Sequence, residues 1–381
     1  MKLVSEFRDP QLAAHLIKAM YRTSRRAVSL MEVCGTHTVA ISKNGLRQMI
    51  PSPISLLSGP GCPVCVTSNR DLDKAIAVAR QPGVILATFG DMMRVPGSYS
   101  NLSKERAEGC DVRVVYSTMD ALRIAEANPH QKVVFYGVGF ETTSPTIAAS
   151  ILEAKKRGIT NYLVLSVHKL IPPAMKALLD SPELNLHGFI CPGHVSVIIG
   201  SRPYQFISEQ YHLPCVISGF EPLDILQSIL MLVQALETGQ AAVHIQYRRG
   251  VREEGNPVAL RTLDQVFEVG DAEWRGLGLI PESGLKIRTE YRSWDAEEFL
   301  DLDVPAPRKA PGCLCGDILR GIKNPFDCPL FGTKCTPESP VGPCMVSSEG
   351  TCAAYYRYER YRVQDEDRGR RGEVPQLKPA G

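Results

Sequence analysis

Ile54-Ser55-Leu56-Leu57-Ser58-Gly59-Pro60-Gly61-Cys62-Pro63-Val64-Cys65 is the stretch on which the fold turns. Its apolar run, Ile54 to Leu57, has the length of a buried strand and stops at a glycine-proline loop carrying a Cys-x-x-Cys pair. Two thiols at this spacing can form a disulfide in which one thiolate attacks and the other resolves, and Pro63 narrows the conformations of the ring. The alternatives are half of a metal site or two inert core thiols.

Working outward, seven more apolar runs repeat the pattern: Leu30–Val33, Val84–Phe89, Val112–Tyr116, Val133–Tyr136, Tyr162–Val167, Gly188–Cys191 and Cys215–Ser218. Helical patterns separate them at roughly 25–30 residues, the length of one βα unit, so the sequence predicts parallel sheets of an α/β fold. Two sets of four runs predict two similar α/β domains facing a cleft, 28–128 and 129–238, split at Asn128-Pro129. Residues 1–27 predict a helix, with a cap signal at Asp9-Pro10 and apolar positions at Leu12, Leu16, Ile17 and Met20, expected to dock on the third domain. That third domain, 239–363, is richer in charge, proline and glycine and ends in a cysteine cluster; a polar tail, 364–381, is expected to be disordered.

Nearly every run ends in a polar or glycine-rich phrase, and in open α/β sheets ligands bind at that carboxyl edge. If the two edges face each other, the cleft collects Cys34, His37, Cys62, Cys65, Glu141, His168 and His194. Cys34 and His37 share a face if the chain turns helical directly after its strand, and a thiolate at a helix N-terminus has a lowered pKa. Glu141, Thr142 and Thr143 suit the cap of a helix starting near Pro145, with a proton-shuttling role for Glu141 as the alternative. Lone histidines such as His168 and His194 read first as satisfied loop residues.

The composition narrows the function classes. Lys plus Arg (43) nearly balances Asp plus Glu (41), which leaves no global field for nucleic acid or a membrane surface. The charged start, with no apolar segment behind it, argues against a signal peptide, and no run reaches a membrane span; a cytoplasmic protein is expected. Twelve cysteines in a reducing compartment point to metal or thiol chemistry rather than a disulfide framework. Six of them lie between Cys313 and Cys352 at Cys-x-Cys-x12-Cys-x6-Cys-x8-Cys-x7-Cys spacing. That pattern lacks paired zinc knuckles and holds Cys328-Pro329, a step that accompanies iron–sulfur ligation. Cys110, Cys191 and Cys215 read as core thiols. No phosphate-binding or dinucleotide fingerprint is present.

Taken in order, Met31-Glu32-Val33-Cys34-Gly35-Thr36-His37-Thr38, Gly59 to Cys65, Gly139-Phe140-Glu141-Thr142-Thr143, Cys191-Pro192-Gly193-His194-Val195-Ser196, Gly219-Phe220-Glu221-Pro222-Leu223-Asp224, Trp274-Arg275-Gly276-Leu277-Gly278 and Val346-Ser347-Ser348-Glu349-Gly350 closely resemble the HypD family of [NiFe]-hydrogenase maturation factors. The resemblance runs from about residue 2 to 360. It implies two α/β domains and a third holding a [4Fe-4S] cluster, with Cys315, Cys328, Cys335 and Cys352 as its ligands, Glu349 in the nearby motif, and Cys313 and Cys344 extra. It also implies a redox-active scaffold, working with a HypC-like small chaperone and a HypE-like cyanide donor, on which an Fe(CN)2CO unit is assembled. Cys34 is then the iron-contacting thiol with His37 beside it, and Cys62 and Cys65 are the redox pair. The competing readings are a stand-alone iron–sulfur thiol–disulfide oxidoreductase and a zinc-stabilised binding module.

Overall fold

All eight apolar runs form strands, and a ninth joins them. The strands are β1 (Val28–Glu32), β2 (Ile54–Ser58), β3 (Val84–Thr88), β4 (Val112–Val114), β5 (Lys132–Gly137), β6 (Tyr162–Ser166), β7 (Gly188–Pro192), β8 (Cys215–Ser218) and β9 (Val243–Ile245) in a computed structural model that describes residues 6–300 and 302–360. They make two wholly parallel sheets, one of five strands in the order β2-β1-β7-β8-β9 and one of four in the order β4-β3-β5-β6. The strands are short, and their burial on both faces matches runs that are apolar throughout rather than alternating.

The expected split at Asn128-Pro129 does not separate the sheets, because it falls between β4 and β5 of the same sheet. The chain leaves the five-stranded sheet after β2, builds the whole four-stranded sheet, and returns at β7, where Leu30 pairs with Gly188. Parallel strands are joined by long crossovers, so even spacing of the runs carries no information about which strands pair. The third region is likewise distributed. Its first strand, β9, extends the five-stranded sheet, while the helix Pro257–Val266 and the antiparallel hairpin β10 (Phe267–Trp274) and β11 (Gly278–Ile287) give Leu263, Val266, Phe267, Leu285 and Ile287 to the core beside the four-stranded sheet. These segments are amphipathic and find their apolar partner on a sheet already built.

The N-terminal helix is Pro10–Thr23, capped by Asp9, whose Oδ1 accepts from the amides of Gln11 (2.7 Å) and Leu12 (3.2 Å). It docks on the helix Pro222–Glu237 rather than on the third region: Met20, Leu16 and Ile17 enter the core that holds Leu223 and Leu226, and Arg8 pairs with Glu221. The tail expected to be disordered, 364–381, lies outside the described residues. Among the described residues no helix is long and apolar enough to cross a membrane.

The space between the two carboxyl edges is filled rather than open. One core cluster contains Val33, Cys62, Cys191 and Ile217 from the first edge, Phe140 and Ile171 from the second, and Trp274, Cys315, Ile318 and Cys344 packed among them. Trp274 is fully buried, stacks on Phe140 at 6.0 Å, and donates its indole N–H to Ser283 at 2.8 Å.

Candidate functional site

Cys34 lies two residues past the end of β1 and is the N-cap of the helix Gly35–Lys43, so Cys34 and His37 do stand one turn apart. Cys62 ends the loop after β2 and caps the short helix Pro63–Val66, its Sγ accepting from the Cys65 amide at 3.3 Å. Adjacent strands bring the two loops together, and glycine makes the approach possible. A Cβ on Gly61 would fall 2.1 Å from the Cys34 nitrogen, and the Gly35 amide donates to the Gly61 carbonyl at 3.0 Å. A Cβ on Gly35 would fall 2.6 Å from that of Glu349, whose Oε1 accepts from Thr36 Oγ1 at 2.9 Å. Three distant motifs therefore meet at one edge.

The electrostatics differ from a simple helix-terminus thiolate. Burial pushes the Cys34 thiol up to about 12; the amides of His37 and Thr36 act the other way and are outweighed. Burial likewise holds His37 neutral, with its pKa down to about 4. One ring nitrogen, Nε2, is tied to the Gly219 carbonyl at 2.9 Å, while Nδ1 is buried without a partner. Phe220 lies between two imidazoles, with ring centroids 4.8 Å from His37 and 3.8 Å from His194. Behind Cys34 the carboxylate of Glu32 accepts from the Cys34 amide (3.0 Å) and the Thr38 hydroxyl (2.5 Å), and burial raises its pKa to about 7. His194, Phe220 and Glu32 are thus part of the site. The signal for Glu32 was an acid inside an apolar strand; His194 was expected in the cleft but read first as a satisfied loop residue, and Phe220 lay within a recognised motif without a role.

The thiols continue into the C-terminal segment. Cys313, Cys315, Cys328, Cys335, Cys344 and Cys352 line a single small cavity closed by Leu330, Phe331 and Met345. Cys344 is the junction: its sulfur is 2.7 Å from that of Cys315, and the thiols of Cys352 and Cys65 are close enough to raise its pKa. A row of sulfur therefore runs from Cys62 through Cys65 and Cys344 to Cys315. Among the described residues no three Cys, His, Asp or Glu side chains converge on one ion-sized point.

Two expected members of the site stand elsewhere. Glu141 is buried beyond the second edge, where Oε1 accepts from the Ile171 amide at 2.9 Å and Oε2 has no partner. It caps the helix Ile171–Leu179, not the helix Ser144–Arg157 that follows it, because the latter starts at a Thr143 whose side chain makes no cap bond. Burial raises its pKa to about 7. His168 bonds Ser166 Oγ at 3.0 Å and packs against Gly137 and Gly139, and burial lowers its pKa to about 3. Cys191 and Cys215 are fully buried core residues, and Cys110 is half-buried.

A family model described as "HypD: Hydrogenase formation hypA family" matches residues 11–359. The chain is 48% identical over 378 residues to "Hydrogenase maturation factor HypD2" of Bradyrhizobium diazoefficiens, covering 97% of this chain and 100% of that one. It is 47% identical over 377 residues to "Hydrogenase maturation factor HypD" of Rhodobacter capsulatus, covering 96% and 100%. To the protein of that name in Escherichia coli it is 44% identical over 371 residues, covering 94% and 99%. A match that spans the thiol edge, the second sheet and the cysteine cavity alike means that the chain belongs to the HypD family.

Proposed function

We propose that the chain is a hydrogenase maturation factor, a scaffold on which the Fe(CN)2CO group of [NiFe]-hydrogenase is assembled with a HypC-like chaperone and a HypE-like cyanide donor. The single observation that carries this reading is the meeting of Cys34 and His37 with a second, paired thiol site across Gly61. A disulfide oxidoreductase has no use for the additional ligand pair. Iron, the cargo, suits Cys34 because a soft thiolate favours the low-spin iron(II) that cyanide and carbon monoxide stabilise. His37 is prepared as its neighbour: the Gly219 carbonyl fixes the tautomer and leaves Nδ1 with a free lone pair, the arrangement typical of metal-bound histidine. Because burial keeps Cys34 protonated, iron binding there displaces a proton, and Glu32 keeps the Cys34 turn in place through the amide.

The cysteine cavity fits a [4Fe-4S] cluster. Sulfurs that ring an apolar space, rather than converge on a point, suit a multi-atom cluster better than one zinc ion. When bound, the cluster supplies electrons one at a time. The contact between Cys315 and Cys344 favours a change to the ligand set: with those two as a thiol pair, the remaining four, Cys313, Cys328, Cys335 and Cys352, are the number a cubane needs. Cys344 is then the link to Cys65. The test is anaerobic iron and sulfide analysis of Cys315→Ala and Cys313→Ala proteins. About four iron and four sulfide retained in Cys315→Ala but lost in Cys313→Ala is the expected result; the reverse restores Cys315 as a ligand. Stoichiometric zinc without sulfide ends the cluster reading.

A further inference from the structure

One feature outside the iron site bears on how the sulfur row is supplied. A groove of about 380 Å³ runs beside the cysteine cavity, and Cys313 and Cys315 line both. Cys313 is half-buried while the other five cavity cysteines are buried, so this groove is where the sulfur comes nearest to solvent. Its wall is the hairpin turn Trp274 to Gly278, held against the cavity because Gly276 and Gly316 touch: a Cβ on Gly276 would lie 2.6 Å from the Gly316 Cα. The same turn is pinned to the Cys-x-x-Cys helix, with the Arg275 amide donating to Val66 O at 2.8 Å and its Nε to Thr67 O at 3.0 Å. Groove, cavity and redox pair are thus joined through this one turn.

The charge on the groove is one-sided. Arg275, Arg308, Lys309 and Arg320 line it against two carboxylates, Glu273 and Asp317, and Asp317 is already paired with Arg320 at 2.7 Å. Among the described residues Arg275, Arg308 and Lys309 have no carboxylate partner, the last two are exposed, and Nη2 of Arg275 is buried with no hydrogen bond. A chain that is nearly neutral overall thus carries a local positive patch at the one place where its sulfur row approaches the surface.

We infer that this groove docks a small acidic one-electron carrier protein, of the iron–sulfur or flavin class, that delivers electrons at the Cys313–Cys315 end of the row. The inference rests on the redox reading above. Reducing a Cys62–Cys65 disulfide consumes two electrons and two protons and yields two thiols, so two reduced carriers, each oxidised by one electron, must visit in turn. Short-lived encounters of this kind use small interfaces and depend on charge steering, which the unpaired cations provide. The delivery point is at the Cys313–Cys315 end of the sulfur row, whereas Cys34 meets the Cys62 end across Gly61.

The test uses the anaerobically purified full chain and a plant-type [2Fe–2S] ferredoxin as probe. Binding should weaken at least tenfold between 0.05 and 0.5 M salt, and at least tenfold in an Arg308→Glu/Lys309→Glu variant, but stay unchanged in Lys156→Glu, an exposed cation on the helix Ser144–Arg157. Reduced ferredoxin should generate two new thiols at Cys62 and Cys65 in the unmodified chain and far more slowly in the double variant, whereas the methyl viologen radical should generate them equally in both. Equal ferredoxin binding by chain and variant, or binding insensitive to salt, overturns the docking site even if viologen still yields two thiols. If neither reductant yields two thiols, the redox reading fails and the docking site with it.

Discussion

At the carboxyl edge of the five-stranded sheet Cys34, Cys62 and His194 are brought together from neighbouring strands, whereas at the same edge of the four-stranded sheet Glu141 and His168 turn into the interior and serve the fold. Both edges carry glycine-rich phrases, and both bury ionisable groups whose pKa values are moved chiefly by burial. The difference is in what adjacent strands deliver. β1 and β2 lie side by side, and a backbone contact at Gly61 locks their loops, so two reactive groups share a space. At the other edge one oxygen of Glu141 is tied to the Ile171 amide and Nδ1 of His168 to Ser166, and the second polar atom of each is buried without a partner rather than facing another reactive group.

The sharpest way to break this contrast is to remove one group from each edge. Cys34→Ala should abolish the iron–cyanide infrared bands of protein purified with its chaperone, while the cluster and the reversible titration of two thiols at Cys62 and Cys65 persist; Glu141→Gln should keep the bands. Bands lost in Glu141→Gln would mean that both edges work on the iron.

Glycine substitutions come next in size. Gly61→Ala pushes a methyl into the Cys34 backbone, which cannot rotate away, and should destabilise the protein by about 3 kcal/mol or more. Gly139→Ala meets chiefly Thr143 Oγ1, the end of a side chain that can change rotamer, and should cost about 1 kcal/mol. Thermal unfolding of the two variants checks the ranking, and equal losses would remove Gly61 as the lock between loops.

Glu141 also gives a pH signature. Its folded pKa is raised from the ordinary 4.5 to about 7, so its favourable contribution is complete below pH 4.5 and is lost as pH rises towards 7. Glu141→Gln, neutral throughout and still able to accept from Ile171, should match the parent at pH 4 and exceed it by about 3 kcal/mol at pH 8. A constant difference across that range would show that Glu141 is not held neutral by the fold. The smallest effect belongs to Thr36→Val, which removes the hydrogen bond to Glu349 and should cost about 1 kcal/mol in a denaturant titration without changing the cluster. A larger loss would make Glu349 a structural anchor of the Cys34 turn.

Strand identity was legible because each run is apolar and bounded by glycine or proline; Leu30 to Val33 and Ile54 to Leu57 needed nothing more. Partnership was not, since β1 hydrogen-bonds to a strand beginning at Gly188 and no local pattern records that choice. Cys34, His37, Cys62 and Cys65 were legible as reactive types placed at strand ends, and the structure does gather them. The Cys315–Cys344 contact was not, because spacing counts thiols without pairing them. Glu141 was misassigned to the helix after it since its own carboxylate reaches across space to another helix, a geometry no sequence window contains.

The insertion of one sheet into the other has a consequence for biosynthesis. On the ribosome β1 and β2 emerge early, yet the neighbour that completes β1 starts at Gly188, and Cys344 follows Cys65 by 279 positions. At bacterial or eukaryotic elongation rates that gap is on the order of 15 to 55 s, during which Cys62 and Cys65 hang from a half-made domain, open to oxidants and to stray metal. The four-stranded sheet, contiguous in sequence between Val84 and Ser166, can mature in that interval as an independent cotranslational unit. The sulfur row therefore closes only once Cys344 has followed, so loading of any metal there waits for the segment that carries Cys313 to Cys352.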